Sequence, residues 1–187
     1  MSPNSNSSNN NCPESADSGQ SFLNVLVLGL GNILLSDEGV GVKAIEELQR
    51  RYDCSDAVEI VDGGTVGFEL LPYFDERSHI LIVDAVKADN KPGTIVKIDD
   101  PPAYFSSRTS PHQIGLADVI GLATITDNLP KNIILLGIEP KRFTTGLTLS
   151  SAVAQNLSRL VDMVVAELEA IGVKVKSNPS ERSKFQK

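Results

Sequence analysis

Four ionisable side chains lie in or beside stretches of the sequence that could form the edge of an active site. Glu38 lies in a glycine-rich segment, Asp62 precedes two glycines, Asp84 ends an apolar run and His112 follows a proline-containing stretch. Two carboxylates and an imidazole that meet in one crevice form a mixed oxygen and nitrogen ligand set, which suits a borderline divalent metal ion such as nickel. These residue types therefore make the four positions candidates for a metal site.

Each of these positions also has a purely structural explanation. An aspartate at the end of a strand often caps the turn or helix that follows, and this alternative stays open for Asp62 and Asp84. Asp37 is the expected N-cap of the helix that follows it. A single histidine is more often a surface or hydrogen-bonded residue than a ligand, which is the interpretation for His79. His112 stands out only through the carboxylates that accompany it.

Other kinds of active site find no support in the sequence. The two histidines form no HExxH motif and no GxSxG motif is present. The glycines at 29 and 31 lack the third glycine of a dinucleotide-binding loop, because Leu34 occupies its position. Cys12 and Cys54 form no CxxC pair and are expected to be free thiols. A zinc peptidase, a serine hydrolase or a nucleotide-binding protein is therefore not indicated.

Short β-rich runs alternate with helical patterns along the chain, which is typical of an α/β fold with a mostly parallel sheet. The apolar runs predict five strands, at residues 23–28, 58–61, 79–83, 94–98 and 132–138. Helical periodicity predicts helices at residues 39–52, 65–73, 113–123 and 149–171, and residues 99–111 are expected to form a surface loop. Ligands bind at the carboxyl ends of the strands in such sheets, so the candidate residues would lie at that edge.

Length and charge indicate one acidic domain with polar ends. The 187 residues are expected to fold as one domain at 22–173, between a disordered leader at 1–21 and a flexible basic tail at 174–187. The leader carries −2 and the tail +4 of a net charge of −7, so the domain carries −9, which argues against nucleic acid as a partner. A secretory signal and a bilayer-spanning stretch are not recognised, so a cytoplasmic protein without membrane attachment is expected.

Five motifs in the sequence together resemble those of a known family. The chain contains, in this order, GLGNILLSDEGVG, DGGTVGFELL, LIVDAV followed by PGT, SPHQIGLADVI and LLGIEP. They resemble the hydrogenase maturation endopeptidases over about residues 23–172. The resemblance implies a three-layer α/β/α fold with a twisted, mostly parallel sheet of about five strands. It also implies that Glu38, Asp84 and His112 are metal ligands and that Asp62, in the Asp-Gly-Gly-Thr element, takes part in substrate handling or catalysis.

The function that the resemblance implies is removal of a C-terminal extension from the large-subunit precursor of a [NiFe]-hydrogenase, after nickel insertion. The precursor would be the partner and would also supply the nickel that the three ligands recognise. Either a metal-bound water or a carboxylate such as Asp62 would begin hydrolysis. The Asp-Gly-Gly-Thr element favours an uptake-type hydrogenase. A nickel-sensing checkpoint without cleavage, and a metal hydrolase of small substrates, are the alternatives.

Overall fold

A five-stranded sheet forms the centre of the molecule. The structure, a computed structural model, describes residues 23–65, 67–106, 114–130 and 132–178. Its strands are β1 Val25–Leu30, β2 Tyr52–Cys54, β3 Val58–Gly64, β4 His79–Ala85, β5 Ile95–Ile98, β6 Asn132–Ile138 and β7 Val175–Ser177. The central sheet has the order β3-β1-β4-β6-β5, in which all pairs are parallel except β5 with β6. All parallel strands therefore end at one edge, here called the carboxyl edge.

Helices cover both faces of this sheet. They are α1 Val40–Arg51, α2 Leu71–Phe74, α3 Pro101–Ser106, α4 Ile114–Ile125, α5 Ser151–Ala154 and α6 Leu157–Ala170, and 3-10 turns lie at Ser36–Gly39 and Phe68–Leu70. Buried side chains of α1 and α6 share one apolar core, and those of α2 and α4 share the other. The predicted three-layer α/β/α fold is confirmed. None of the helices in these described ranges has the length and apolar character that crossing a membrane requires.

The two cores follow from the alternation of side chains along buried strands. All six residues of β1 are buried. Val25 and Val27 face the core under α1 and α6, whereas Leu26 and Leu28 face the core under α2 and α4. A strand that is apolar on both faces belongs in the middle of a parallel sheet covered by helices, which is where β1 lies.

The predicted long helix at 149–171 is wrong in one respect, because it is broken into α5 and α6. Between them the Asn156 side-chain amide donates a hydrogen bond to the Ala152 carbonyl oxygen at 3.0 Å. The Asn156 backbone N–H turns instead to the Val153 carbonyl oxygen at 3.0 Å. A side-chain bond has thus replaced the helical backbone bond, which is a common cause of a helix interruption.

The surface loop predicted at 99–111 is also wrong in part, because α3 lies within it. Asp100 Oδ1 accepts a hydrogen bond from the Ala103 N–H at 3.0 Å, and the Tyr104 N–H donates to the Asp100 carbonyl oxygen at 3.0 Å. Two prolines in the first turn suit this start, since the first N–H groups of a helix have no partner within it. Prolines at these two positions therefore start a helix and do not break one.

The flexible tail predicted from residue 174 is wrong for its first part. Strand β7 pairs with β2 in an antiparallel ladder that places Val175 opposite Cys54 and Ser177 opposite Tyr52. The Asn178 N–H then donates to the Arg51 carbonyl oxygen at 2.8 Å. The leader at 1–21 and the last residues, 179–187, lie outside the described residues.

Candidate active site

Glu38 is brought to the carboxyl edge by a loop that folds tightly between β1 and α1. Gly31 has a φ of +122°, and a Cβ atom built on it would lie 1.7 Å from the Glu38 carbonyl oxygen. A Cβ on Gly41 would lie 2.1 Å from the Val83 carbonyl oxygen and 2.3 Å from that of Leu30. The glycines of this segment therefore permit backbone atoms to touch, so that the first turn of α1 rests on the ends of β1 and β4. This packing accounts for them without a nucleotide.

Asp84 reaches the same place from the end of β4. Its side chain is 9% exposed, and Oδ1 accepts a hydrogen bond from the Ala85 N–H at 2.7 Å. Strand alternation puts it on the sheet face of Ile80 and Ile82, which belong to the core under α4. A carboxyl group at this depth has lost most of its water, and one backbone bond replaces only part of that solvation.

The two carboxylates form a pair at the carboxyl edge. Burial, with an addition from the Glu38 charge, raises the pKa of Asp84 to about 7, although the bond from Ala85 opposes the shift. Glu38 Oε2 is buried and, in the part of the chain that the structure describes, has no hydrogen-bond partner. Two adjacent acids, one of them with an unsatisfied oxygen, have the arrangement that a bound cation would stabilise.

The third predicted ligand, His112, lies outside the described residues. Within the ranges that are described, no group of three His, Cys, Asp or Glu side chains lies close enough to hold a metal ion. The structure thus brings together two of the three predicted ligands, Glu38 and Asp84. The set of three stays a prediction, in which His112 would supply the nitrogen ligand.

Asp62 is not part of the carboxylate pair. Asp62 of β3 and Val83 of β4 both pair with Gly29 of β1, the strand between them. Two strand spacings therefore put the Cα atoms of Asp62 and Asp84 about 10 Å apart. The alternation of β3 aims its side chain toward the opposite sheet face from Asp84. Its carboxylate is exposed, and Oδ1 accepts a hydrogen bond from the Gly64 N–H at 2.9 Å. The structural alternative, a turn cap, is therefore present, and the exposed carboxylate also borders the carboxyl edge.

Asp37 is a site residue whose role the sequence did not reveal. The predicted N-cap is wrong, because neither the 3-10 turn nor α1 has a side-chain cap. Asp37 is instead fully buried and accepts hydrogen bonds from backbone N–H groups of Lys141, Arg142 and Ser150. These donors are 104 to 113 residues away in sequence. Its neighbour in the motif, Glu38, was the only visible signal that this position mattered.

An apolar rim lies beside the carboxylate pair. We use this name for Ile33, Leu34 and Leu147, whose side chains are 43%, 58% and 62% exposed. The two loops that carry them are joined, since the Gly146 N–H donates to the Leu34 carbonyl oxygen at 2.9 Å. Leu34 precedes Glu38 by four residues, so Ile33 and Leu34 lie in the same β1–α1 connection as one member of the pair. Exposed apolar side chains that cluster at a site are typical of surfaces that bind a protein or peptide.

Comparison with known proteins gives one consistent family. Residues 42–167 match the model of the hydrogenase maturation proteases. The chain is 42% identical over 154 residues to the hydrogenase 2 maturation protease of Escherichia coli strain K12, which covers 81% of this chain and 94% of that protein. It is 37% identical over 155 residues to the hydrogenase expression/formation protein HupD of Bradyrhizobium diazoefficiens, covering 81% of each chain.

Solved structures agree with this result. The hydrogenase maturating endopeptidase HybD from E. coli has a TM-score of 0.79 and 40% identity, over 84% of this chain and 99% of that chain. The [NiFe] hydrogenase maturation protease HybD from Thermococcus kodakarensis has a TM-score of 0.63 and 27% identity, over 77% of this chain and 98% of that chain. The similarity therefore spans nearly the whole length of both solved proteins.

Proposed function

The chain belongs to the hydrogenase maturation protease family, and from this premise we propose that it is the endopeptidase that trims a [NiFe]-hydrogenase large-subunit precursor. Membership in this family makes the protein a peptidase that serves hydrogenase maturation. The proposal adds that a C-terminal extension is removed after nickel insertion, in the cytoplasm, and that nickel in the precursor is the recognition element. It retains an uptake-type large subunit as the expected substrate, on the basis of the Asp-Gly-Gly-Thr element.

The observation that carries the metal part of the proposal is the buried pair of Glu38 and Asp84. Burial raises the pKa of Asp84 to about 7, and Glu38 Oε2 is buried without a hydrogen-bond partner in the described chain. Two carboxylate charges buried side by side repel each other and are costly unless a cation offsets them. A nickel ion carried by the precursor would complete this site as part of the substrate, with His112 as the third ligand.

Asp62 suits the role of general base better than that of ligand. Its carboxylate is exposed, and the strand spacing puts its Cα atom about 10 Å from that of Asp84. This distance is large for two side chains that bind the same ion. For Asp62 to act, the precursor chain would pass beyond the carboxyl edge and bring its scissile peptide bond to this carboxylate, which faces away from Asp84. We therefore propose that Asp62 takes the proton from the attacking water, as in an aspartic-type peptidase.

The apolar rim is the surface that would hold the precursor chain next to the pair. Leu34 and Leu147 project from loops that backbone hydrogen bonds fix to each other. Apolar contacts of this kind do not select a sequence strongly. The nickel would therefore supply the selectivity for precursor that already contains the metal. Recognition of the metal would then prevent the trimming of empty precursors.

The experiment that tests the proposal is intact-mass spectrometry of a purified precursor incubated with the protein. Precursors with and without nickel are compared, and the proteins are the unaltered chain, His112→Ala and His79→Ala. His79 is the matched control because it begins β4 at the opposite edge of the sheet. We expect loss of a C-terminal peptide only with nickel-loaded precursor, and only with the unaltered chain and His79→Ala.

Two results would overturn parts of the proposal. If the nickel-loaded precursor binds but keeps its full mass, the protein acts as a nickel-sensing checkpoint and does not cleave. If nickel-free precursor is trimmed equally well, metal recognition is not its function. Running the comparison with uptake-type and bidirectional large subunits tests the substrate class in the same assay, and equal trimming of both would contradict the expected preference.

A further inference from the structure

Within the described residues, the donors to the fully buried carboxylate of Asp37 all come from one distant segment, residues 141–150. Oδ2 accepts hydrogen bonds from the N–H groups of Lys141 at 2.9 Å and Arg142 at 3.1 Å, and from the Ser150 hydroxyl at 2.8 Å. Oδ1 accepts one from the Ser150 N–H at 2.6 Å. Bonds from N–H and O–H donors to a carboxylate are short and directional, so this residue fixes the two segments relative to each other.

Ser36 adds a second set of bonds between the same segments. Its N–H donates to the Gly146 carbonyl oxygen at 2.8 Å and its hydroxyl to the Thr144 carbonyl oxygen at 2.9 Å. The bond from the Gly146 N–H to the Leu34 carbonyl oxygen completes the contact. Ser36 itself has a φ of +53°, in the left-handed region that costs energy for a residue with a side chain. The bonds on either side of it hold the turn in a conformation that it would not adopt alone.

The residue that this turn presents is Glu38. Its Oε2 is buried beside Asp84 and has no hydrogen-bond partner among the described residues. In the absence of a cation, desolvation and repulsion both favour rotation of this side chain into water. The backbone next to Glu38 is tightly packed, because a Cβ on Gly39 would lie 2.6 Å from the Ile33 Cα. The backbone therefore has little room to move with the side chain. Other contacts must therefore hold the Glu38 carboxylate beside Asp84, where desolvation and repulsion disfavour it.

We propose that Asp37 is a positioning residue whose hydrogen bonds to the 141–150 segment hold the Ser36–Gly39 turn so that Glu38 stays beside Asp84. The carboxylate pair is then ready for a cation before the substrate arrives, and neither of these two carboxylates has to be reordered on binding. The reaction that benefits rests on the proposed function, but the position of Glu38 does not. Asp37 touches neither metal nor substrate in this role.

The test is Asp37→Asn, which keeps the size of the side chain and replaces one acceptor oxygen with an amide donor. At least one of the facing N–H groups then loses its acceptor. A crystal structure of the metal-free variant is expected to have the Glu38 carboxylate turned away from Asp84 into solvent. Amide hydrogen exchange at Lys141, Arg142 and Ser150 is expected to become at least about 10-fold faster.

Precursor assays connect this change to the reaction. We expect kcat/KM for nickel-loaded precursor to fall at least about 10-fold in Asp37→Asn, because part of the binding energy must now return Glu38 to its place. Ser150→Ala removes one hydroxyl donor and leaves the three backbone bonds to Asp37, so it should keep Glu38 in position and most of the activity. Val164→Ala, a buried change in α6, controls for a general loss of stability.

The outcomes separate the two proposals. If Glu38 stays beside Asp84 in Asp37→Asn while the amides of the 141–150 segment exchange faster, the positioning role is overturned. If Val164→Ala lowers kcat/KM as much as Asp37→Asn does, the effect is one of stability and the role is overturned as well. If the unaltered chain does not cleave or bind the precursor, the proposed function fails, and the orientation of Glu38 in the variant still decides the role of Asp37.

Discussion

At the scale of single residues, the carboxyl group of Asp84 combines burial with a proposed ligand role that requires charge. The apolar positions before it in β4 place it at depth, and its backbone bond to Ala85 is too little to keep it ionised at low pH. A pKa of about 7 means that near neutral pH the metal-free group is close to half protonated, so a bound cation in the proposed site would compete with that proton. The same property sets how the stability of the metal-free protein depends on pH.

Asp84→Asn tests this dependence in the metal-free protein. The folded-state pKa of about 7 lies above the ordinary value of 3.8, so between these values the folded chain holds a proton that the unfolded chain has lost. The contribution of this carboxyl to stability is complete below pH 3.8 and is lost as the pH rises through about 7. The variant stays neutral, so its free energy of unfolding should rise relative to that of the unaltered chain by up to about 4 kcal/mol between pH 4 and pH 8.

Urea denaturation across that pH range measures the difference in the free energy of unfolding. Taking the difference between the two chains removes the contributions of the other titrating groups, since these are common to both. A difference that stays constant with pH would mean that Asp84 titrates at its ordinary value.

Asp62→Asn distinguishes a base from a ligand. We expect kcat for precursor trimming to fall by about 100-fold or more, because the amide cannot accept a proton from water. Binding of the nickel-loaded precursor should persist, since Asp62 lies apart from the pair. Asp56→Asn is the control, an exposed acid just before the other end of β3. Intact-mass kinetics and a pull-down with nickel-loaded precursor measure the two properties, and loss of both in Asp62→Asn would identify a ligand or a structural residue.

At the scale of elements, the strands were predictable because their local sequences determine them. The runs that became β1, β4 and β6 are apolar enough to be buried on both faces, and the glycine-rich segment after β1 marked a tight turn. The α5–α6 break and the β2–β7 pair were not predictable, because each depends on a contact that the local pattern does not contain. The meeting of Glu38 and Asp84 was predictable because both follow strands whose carboxyl ends share one edge, whereas the role of Asp37 depends on donors more than 100 residues away.

Gly41→Ala tests the packing of α1 against the strand ends. The added methyl group would lie 2.1 Å from the Val83 carbonyl oxygen, so the first turn of α1 must move away from β4. We expect the free energy of unfolding to fall by about 1–3 kcal/mol and trimming activity to fall with it.

Gly121→Ala is the matched control for that change. Gly121 lies in α4, and a Cβ built on it would meet nothing within 4 Å. Alanine should therefore raise the free energy of unfolding by about 0.5–1 kcal/mol, as expected for an exposed helix interior. Chemical denaturation of both variants gives the comparison, and equal effects from the two would contradict the close packing at Gly41.

At the scale of the whole molecule, the two edges of the sheet have separate tasks. The carboxyl edge carries the acid pair, Asp62 and the apolar rim. The opposite edge carries the turns that enter β3, β4 and β6. The chain is acidic overall, with a net charge of −7, so long-range attraction favours cations and basic surfaces over other acidic ones.

The double variant Leu34→Ser, Leu147→Ser tests the apolar rim. Each leucine is more than half exposed, so a bound chain would cover apolar area worth about 1 kcal/mol per side chain. We expect KM for the nickel-loaded precursor to rise about 10-fold or more with kcat unchanged, the pattern of a lost binding contact.

Ile125→Ser is its control, because Ile125 is 83% exposed and lies at the end of α4 that leads toward the start of β6. Steady-state kinetics with a single precursor preparation measures all three proteins. An equal rise in KM for the control would show that surface hydrophobicity in general, and not the rim, governs the affinity.

The β2–β7 pair has a practical consequence for attaching the protein to other objects. β1 begins and α6 ends at the edge opposite the carboxylate pair, and β7 is clasped there against the chain that follows α1. A sensor chip, resin or fluorescent label attached to a side chain introduced at position 23 or 178, the first and last described residues, would therefore lie at the edge opposite the carboxylate pair. Protein immobilised at these positions would present its carboxyl edge to solution, so that binding of large precursors to the proposed site could be followed on a surface without steric blocking.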